Sequence, residues 1–133
     1  MTIAASQAAV STWAGRLLSA LVALALLADA ATTLFLPSMM HDELAATGFV
    51  DSAALPLGIV MLVCAIQYAI PRTAVLGAIL VTGFLGGAIC THFRLGEIGS
   101  PPQIISVVLG LMTWGGLYLR SALVRSLLPF TPS

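Results

Sequence analysis

The chain has 133 residues, 59% of them apolar and 8% charged, and its five basic residues, all arginine, balance five acids. So few charges, against an ordinary share of about 25%, cannot give a soluble domain its polar skin. The same hydrophobicity excludes disorder, and the lack of a basic patch excludes nucleic-acid binding. A spanning helix takes about 20 apolar residues, so the composition describes an all-α integral membrane protein: one domain over residues 1–133, built as a four-helix bundle in the lipid bilayer.

The first apolar run covers residues 17–36. Its start has the outline of an export leader, with Arg16 before the run and Ala28-Asp29-Ala30 as a small-residue site, but the run continues beyond the length of such a core and reads as a span. Pro37 stops it. Residues 38–52 read as the longest loop and carry His41, Asp42, Glu43 and Asp51. The second span covers residues 53–70, and the link Pro71-Arg72-Thr73 is so short that the third, residues 73–93, must return antiparallel to it. Gly99-Ser100-Pro101-Pro102 carries the turn and helix-start chemistry that opens the fourth, residues 103–119. None of the runs alternates, as strands of a membrane barrel would. Residues 1–12 and 126–133 are expected to be mobile ends.

Arginine counting gives the orientation. With the N-terminus inside, the cytoplasmic side holds Arg16, Arg72, Arg120 and Arg125 and the outer side only Arg94, so both termini are expected in the cytoplasm. Trp13, Tyr68, Trp114 and Tyr118 fall toward the same side and suit its interface. Small residues mark helix contacts in lipid. Gly83 and Gly87 form a GxxxG in the third span, and Ser106 and Gly110 stand four apart in the fourth; they would pack the bundle or pair two copies as a homodimer.

Asp29 is the one charged residue well inside a span, and an intramembrane carboxylate is a functional candidate by default. It lies seven residues before Leu36, about 10 Å below the outer edge at 1.5 Å per residue. Thr32 and Thr33, at i+3 and i+4, could donate to it. His92 and Arg94 close the third span on the same side, as ligand-binding or proton-handling partners that would reach Asp29 or an anionic or quinone-type oxygen. The plainer reading holds Asp29 as a bundle anchor, His92 as an interfacial side chain and Arg94 as a cation snorkelling to headgroups. Glu97, His41, Asp42 and Glu43 form either a rim to that site or solvated loop charge. Cys64 and Cys90 differ in depth by roughly 12 Å on the helical rise, too far for a disulfide. No metal-ligand spacing and no nucleophile motif occur.

Several stretches carry a family resemblance. Pro71-Arg72-Thr73-Ala74-Val75-Leu76-Gly77-Ala78, Thr82-Gly83-Phe84-Leu85-Gly86-Gly87-Ala88, Thr91-His92-Phe93-Arg94 and Trp114-Gly115-Gly116-Leu117-Tyr118-Leu119-Arg120, with Arg125 and Leu127-Leu128-Pro129 beyond, resemble the DoxX-like family of small bacterial four-helix membrane proteins. Gly15-Arg16-Leu17-Leu18-Ser19, Asp29 and Thr47-Gly48-Phe49 match more loosely. The resemblance implies a bundle in the bacterial cytoplasmic membrane. It also implies an association with quinone-linked redox complexes, in which Asp29, His92 and Arg94 would match recurrent polar positions. The chain departs from the pattern at Thr33, where relatives often carry lysine, at Met61, where some carry an acid, and near Gln103, where many carry histidine. Three functions follow as expectations: an accessory subunit working on quinone with a protein partner, a non-catalytic scaffold or assembly factor, and a small proton-coupled transporter.

Overall fold

The computed structural model describes residues 2–128; Pro129, and with it residues 129–133 of the expected mobile tail, lies outside the described residues. The elements are α1 (Thr2–Phe35), α2 (Pro37–Thr47), a 3-10 turn (Asp51–Ala53), α3 (Ala54–Ala69), α4 (Ala74–Arg94), α5 (Pro101–Arg120) and α6 (Ala122–Leu127). Four of them, α1, the segment ending in α3, α4 and α5, are long and apolar enough to cross a membrane. This is the expected all-helical architecture with four spans. Residues 2–12 are helical rather than irregular: Ala4, Ala5, Ala8 and Ala9 favour helix strongly, and α1 reaches about 50 Å at 1.5 Å per residue.

Contacts between neighbours place the helices in a ring. α1 touches α3 and α5, and α4 touches the same two. Leu34 near the end of α1 meets Gly58 near the start of α3, while Ser19 meets Tyr68 at its far end. Each neighbouring pair is therefore antiparallel, and α1 and α4 run the same way on opposite corners. The two ends are named outer and inner after the expectation from arginine counting; the outer end collects the end of α1, all of α2, the start of α3, the end of α4 and the start of α5. All five acids lie in this half with Arg94. The inner end holds Arg16, Arg72, Arg120 and Arg125 and no carboxylate.

The inner half is tightly interlocked. A Cβ added at Gly15 would sit 2.7 Å from the Gly116 carbonyl oxygen, and one at Gly116 2.8 Å from Ser19 Oγ, so α1 and α5 cross backbone to backbone there. Gly77 presses against the Gln67 and Tyr68 backbone and closes the α3–α4 hairpin. Tyr68 is fully buried and belongs to the core, not to the interface its ring suggested. Its hydroxyl donates to the Thr113 carbonyl at 2.8 Å. Ser19 lies 3.0 Å from the same oxygen and, since that proton is spent, acts as donor. The Arg120 guanidinium lies 5.6 Å from the centre of the Tyr68 ring. Three helices are thus tied through one side chain, in a medium where an unpaired polar group is costly.

Candidate functional site

Asp29 shares a helical face with Val22, Leu26 and Thr33, all three buried, so it points toward the bundle interior. It is nevertheless exposed, because the helices part at the outer end around a cleft of about 350 Å³. The cleft is lined by Asp29 and Thr33 from α1, Glu43 and Leu44 from α2, Met61 from α3, and Gly83, Phe84, Gly87 and His92 from α4, among others. Among the described residues Gly83 and Gly87 pack no neighbouring helix: a Cβ on either would meet nothing within 4 Å. Their missing side chains make room in the cleft. The packed face of α4 is instead Gly77, Ala78, Val81 and Leu85. Ser106 is buried and donates to the Pro102 carbonyl at 2.8 Å, and Gly110 meets Leu85 at 3.9 Å.

The threonines do not serve the Asp29 carboxylate. Thr32 donates to the Ala28 carbonyl at 2.9 Å and Thr33 to the carbonyl of Asp29 itself at 2.8 Å. A hydroxyl at i+4 finds the carbonyl one turn back sooner than a side chain that projects into a cleft.

His92 is 9% exposed, and its Nδ1 lies 2.6 Å from Glu97 Oε2. An ionised carboxylate can only accept, so Nδ1 carries the proton and Nε2 is left as the exchangeable ring position. Backbone geometry makes the pair. Gly96 sits at φ 77°, its N–H bonds the Phe93 carbonyl, and the Glu97 N–H bonds the His92 carbonyl. This is the helix ending that turns the chain back over its last turn, and it lays Glu97 against His92. From sequence Glu97 was open between a rim to the site and loop charge; the signal for the pair was a glycine one residue before the acid and four after the histidine.

The expected loop of residues 38–52 is mostly helical. Pro37 opens α2, and Gly48 at φ 79° closes it with the Phe49 N–H on the Leu44 carbonyl and the Gly48 N–H on the Ala45 carbonyl. This second ending of the same kind puts Leu44 and Phe49 into the cleft wall, and α2 also brings in Glu43. His41 pairs with Asp51 at 2.8 Å and ties α2 to the 3-10 turn. Arg94 does not line the cleft. Its Nη2 donates to the Thr47 carbonyl at 2.8 Å, holding the end of α2 to the end of α4. Gln103 is likewise structural: its Oε1 accepts from the Gly99 N–H at 2.7 Å and its Nε2 donates to the Ile89 carbonyl at 3.3 Å. Cys64 is buried, Cys90 is exposed, and both are free thiols. Among the described residues no three His, Cys, Asp or Glu side chains converge to hold a metal ion.

Of the three polar residues expected to converge, Asp29 and His92 share the cleft and Arg94 braces its cap. Two of the three departures from the family pattern, Thr33 and Met61, line the same cleft. Fold and cleft together define a multi-pass membrane protein with a half-open polar site at one end of a four-helix bundle. A family model described as the DoxX-like family matches residues 17–116, and the chain belongs to that family. No curated protein and no solved structure shows significant similarity to it.

Proposed function

We propose that the outer cleft binds a small apolar molecule with a hydrogen-bonding head of the quinone type, and that the protein serves as an accessory subunit of a quinone-linked redox complex. In this reading it sits in the cytoplasmic membrane of a bacterium with both termini inside. The observation that carries the reading is that His92, held by Glu97, lines the same apolar-walled cleft as Asp29. Neutral His92 would accept a proton from a quinol hydroxyl at Nε2, protonated His92 would donate to a quinone carbonyl, and Asp29 would exchange protons at the cleft. The walls, Leu44, Leu57, Met61 and Phe84, suit a ring and an isoprenoid-like tail. Electrons would come from a protein partner, since the chain's own side chains supply acids, a base and apolar surface.

A second reading has its own observation. Asp29 and Glu43 both line the cleft and no arginine does, which suits an amphiphilic cation exchanged for protons. Mass spectrometry of small molecules co-purifying in mild detergent separates the two. The quinone reading expects a stoichiometric quinone in wild type that is lost in Asp29→Asn and in His92→Ala. Bound organic cation lost in Asp29→Asn would support the second. Ordinary phospholipid alone, equal in all three proteins, would sink both and leave a scaffold.

A further inference from the structure

A second cavity lies on the far side of α4, between it and α5, with a volume of about 610 Å³. Its floor is glycine. A Cβ on Gly86 or Gly115 would meet nothing within 4 Å, and one on Gly110 only a leucine methyl at 3.9 Å. Among the described residues no helix uses these glycines for close approach, although each costs about 1 kcal/mol of helix propensity relative to alanine. The polar atoms in the walls are already satisfied. Thr82 Oγ1 donates to the Ala78 carbonyl at 2.7 Å and accepts the Trp114 Nε1–H at 2.9 Å, and Ser106 is bonded to Pro102. The surface left to an occupant is therefore apolar. From Ser106 to Tyr118 the groove runs about 18 Å along the helical rise, close to half of a hydrocarbon core of about 30 Å.

The inner mouth has a different character. Tyr118 and Leu128 line it, and Arg125 Nη1 is anchored to the Tyr118 and Leu119 carbonyls at 3.0 and 2.9 Å. Arg125 is exposed, Arg72 is exposed at the same end, and that end carries no acid. An apolar channel one leaflet long with an uncompensated guanidinium at its interfacial end is complementary to one class of molecule. We infer that the α4–α5 groove seats an acyl chain of an anionic phospholipid whose phosphate lies against Arg125. This site is separate from the outer cleft and does not depend on the function proposed for it.

Trp114 lies in the groove and serves as the reporter. The chain has two tryptophans, so Trp13→Phe leaves Trp114 as the sole fluorophore. The protein is reconstituted in phosphatidylcholine vesicles containing rising fractions of brominated-chain lipid, either phosphatidylglycerol or phosphatidylcholine. Half-maximal quenching is expected at about fivefold lower mole fraction of the brominated phosphatidylglycerol, the scale of one arginine near an anionic headgroup. Arg125→Ala should abolish that preference while quenching persists. Gly115→Leu, with its thermal midpoint unchanged, should weaken quenching by both lipids. Equal quenching by the two lipids in the protein that retains Arg125 would overturn the headgroup assignment. Protection of Trp114 from both, with energy transfer between labelled copies, would overturn the lipid and give the groove to a second copy of the chain.

Discussion

The inner helix crossings and the outer cleft use glycine in opposite ways. In the inner half Gly15, Gly77 and Gly116 sit where an added Cβ would strike a neighbouring backbone, so they set how closely the helices approach. In the outer half Gly83 and Gly87 face open space, so they set how much room the cleft has. The inner half is closed by Tyr68, whose hydroxyl joins α1, α3 and α5. The outer half is closed only by a short helix, held through Arg94 and two glycine-ended turns. Close packing is concentrated at one end and the open cleft at the other, the arrangement expected when a site is hung on a scaffold that must not move with it.

Substitutions test this contrast. The largest effect is expected for Gly77→Val, which drives a branched side chain into the α3 backbone. It should cost about 3 kcal/mol or more, read as a collapse of the thermal unfolding midpoint in detergent; a shift within error would mean the inner crossing is loose. Tyr68→Phe should cost about 1–3 kcal/mol, because the Ser19 hydroxyl loses its partner and the Thr113 carbonyl loses a donor. Gly96→Ala puts a Cβ into the left-handed region at a cost of about 1–2 kcal/mol. It should also separate Glu97 from His92, seen as movement of the His92 ring nitrogen resonances; an unchanged spectrum would show that the pair does not depend on the turn. The smallest effect is at Gly83→Ala. Helix propensity should raise stability by up to about 1 kcal/mol, and a destabilisation like that of Gly77 would erase the distinction between the halves.

The four spans were legible because lipid leaves a chain few choices: length, hydropathy and turn chemistry bound α3, α4, α5 and the end of α1 within a few residues, whereas α1 begins well before its apolar run. Residues 38–52 were misread because their charges resemble a loop, whereas Pro37 and Gly48 are a start and a stop for helix. The site was legible in part. Asp29 stands out against any apolar helix, and His92 lies at the same depth. Glu43 and Glu97 stayed undecided between a rim to the site and loop charge, because the placement of Glu43 depends on α2 and that of Glu97 on the left-handed turn at Gly96. Arg94 was assigned to the cleft by depth alone, which does not say which way a side chain turns. Tyr68 was assigned to the interface by residue type, which does not count the partners its hydroxyl finds. The glycine motif at Gly83 and Gly87 shows the same limit, since a small residue reads alike whether it admits a helix or leaves a void.

The separation of charge along the bundle also bears on how the chain behaves in an energised membrane. With Arg16, Arg72, Arg120 and Arg125 at one end and all five carboxylates in the other half, the molecule is a dipole aligned with the bilayer normal. In a membrane polarised by 100 mV, carrying one such charge fully across is worth about 2.3 kcal/mol. Reversal would move the arginines and the carboxylates against the field together, so their costs add. One insertion is therefore strongly preferred, and any pairing of two copies in the same membrane must be parallel, with like ends side by side.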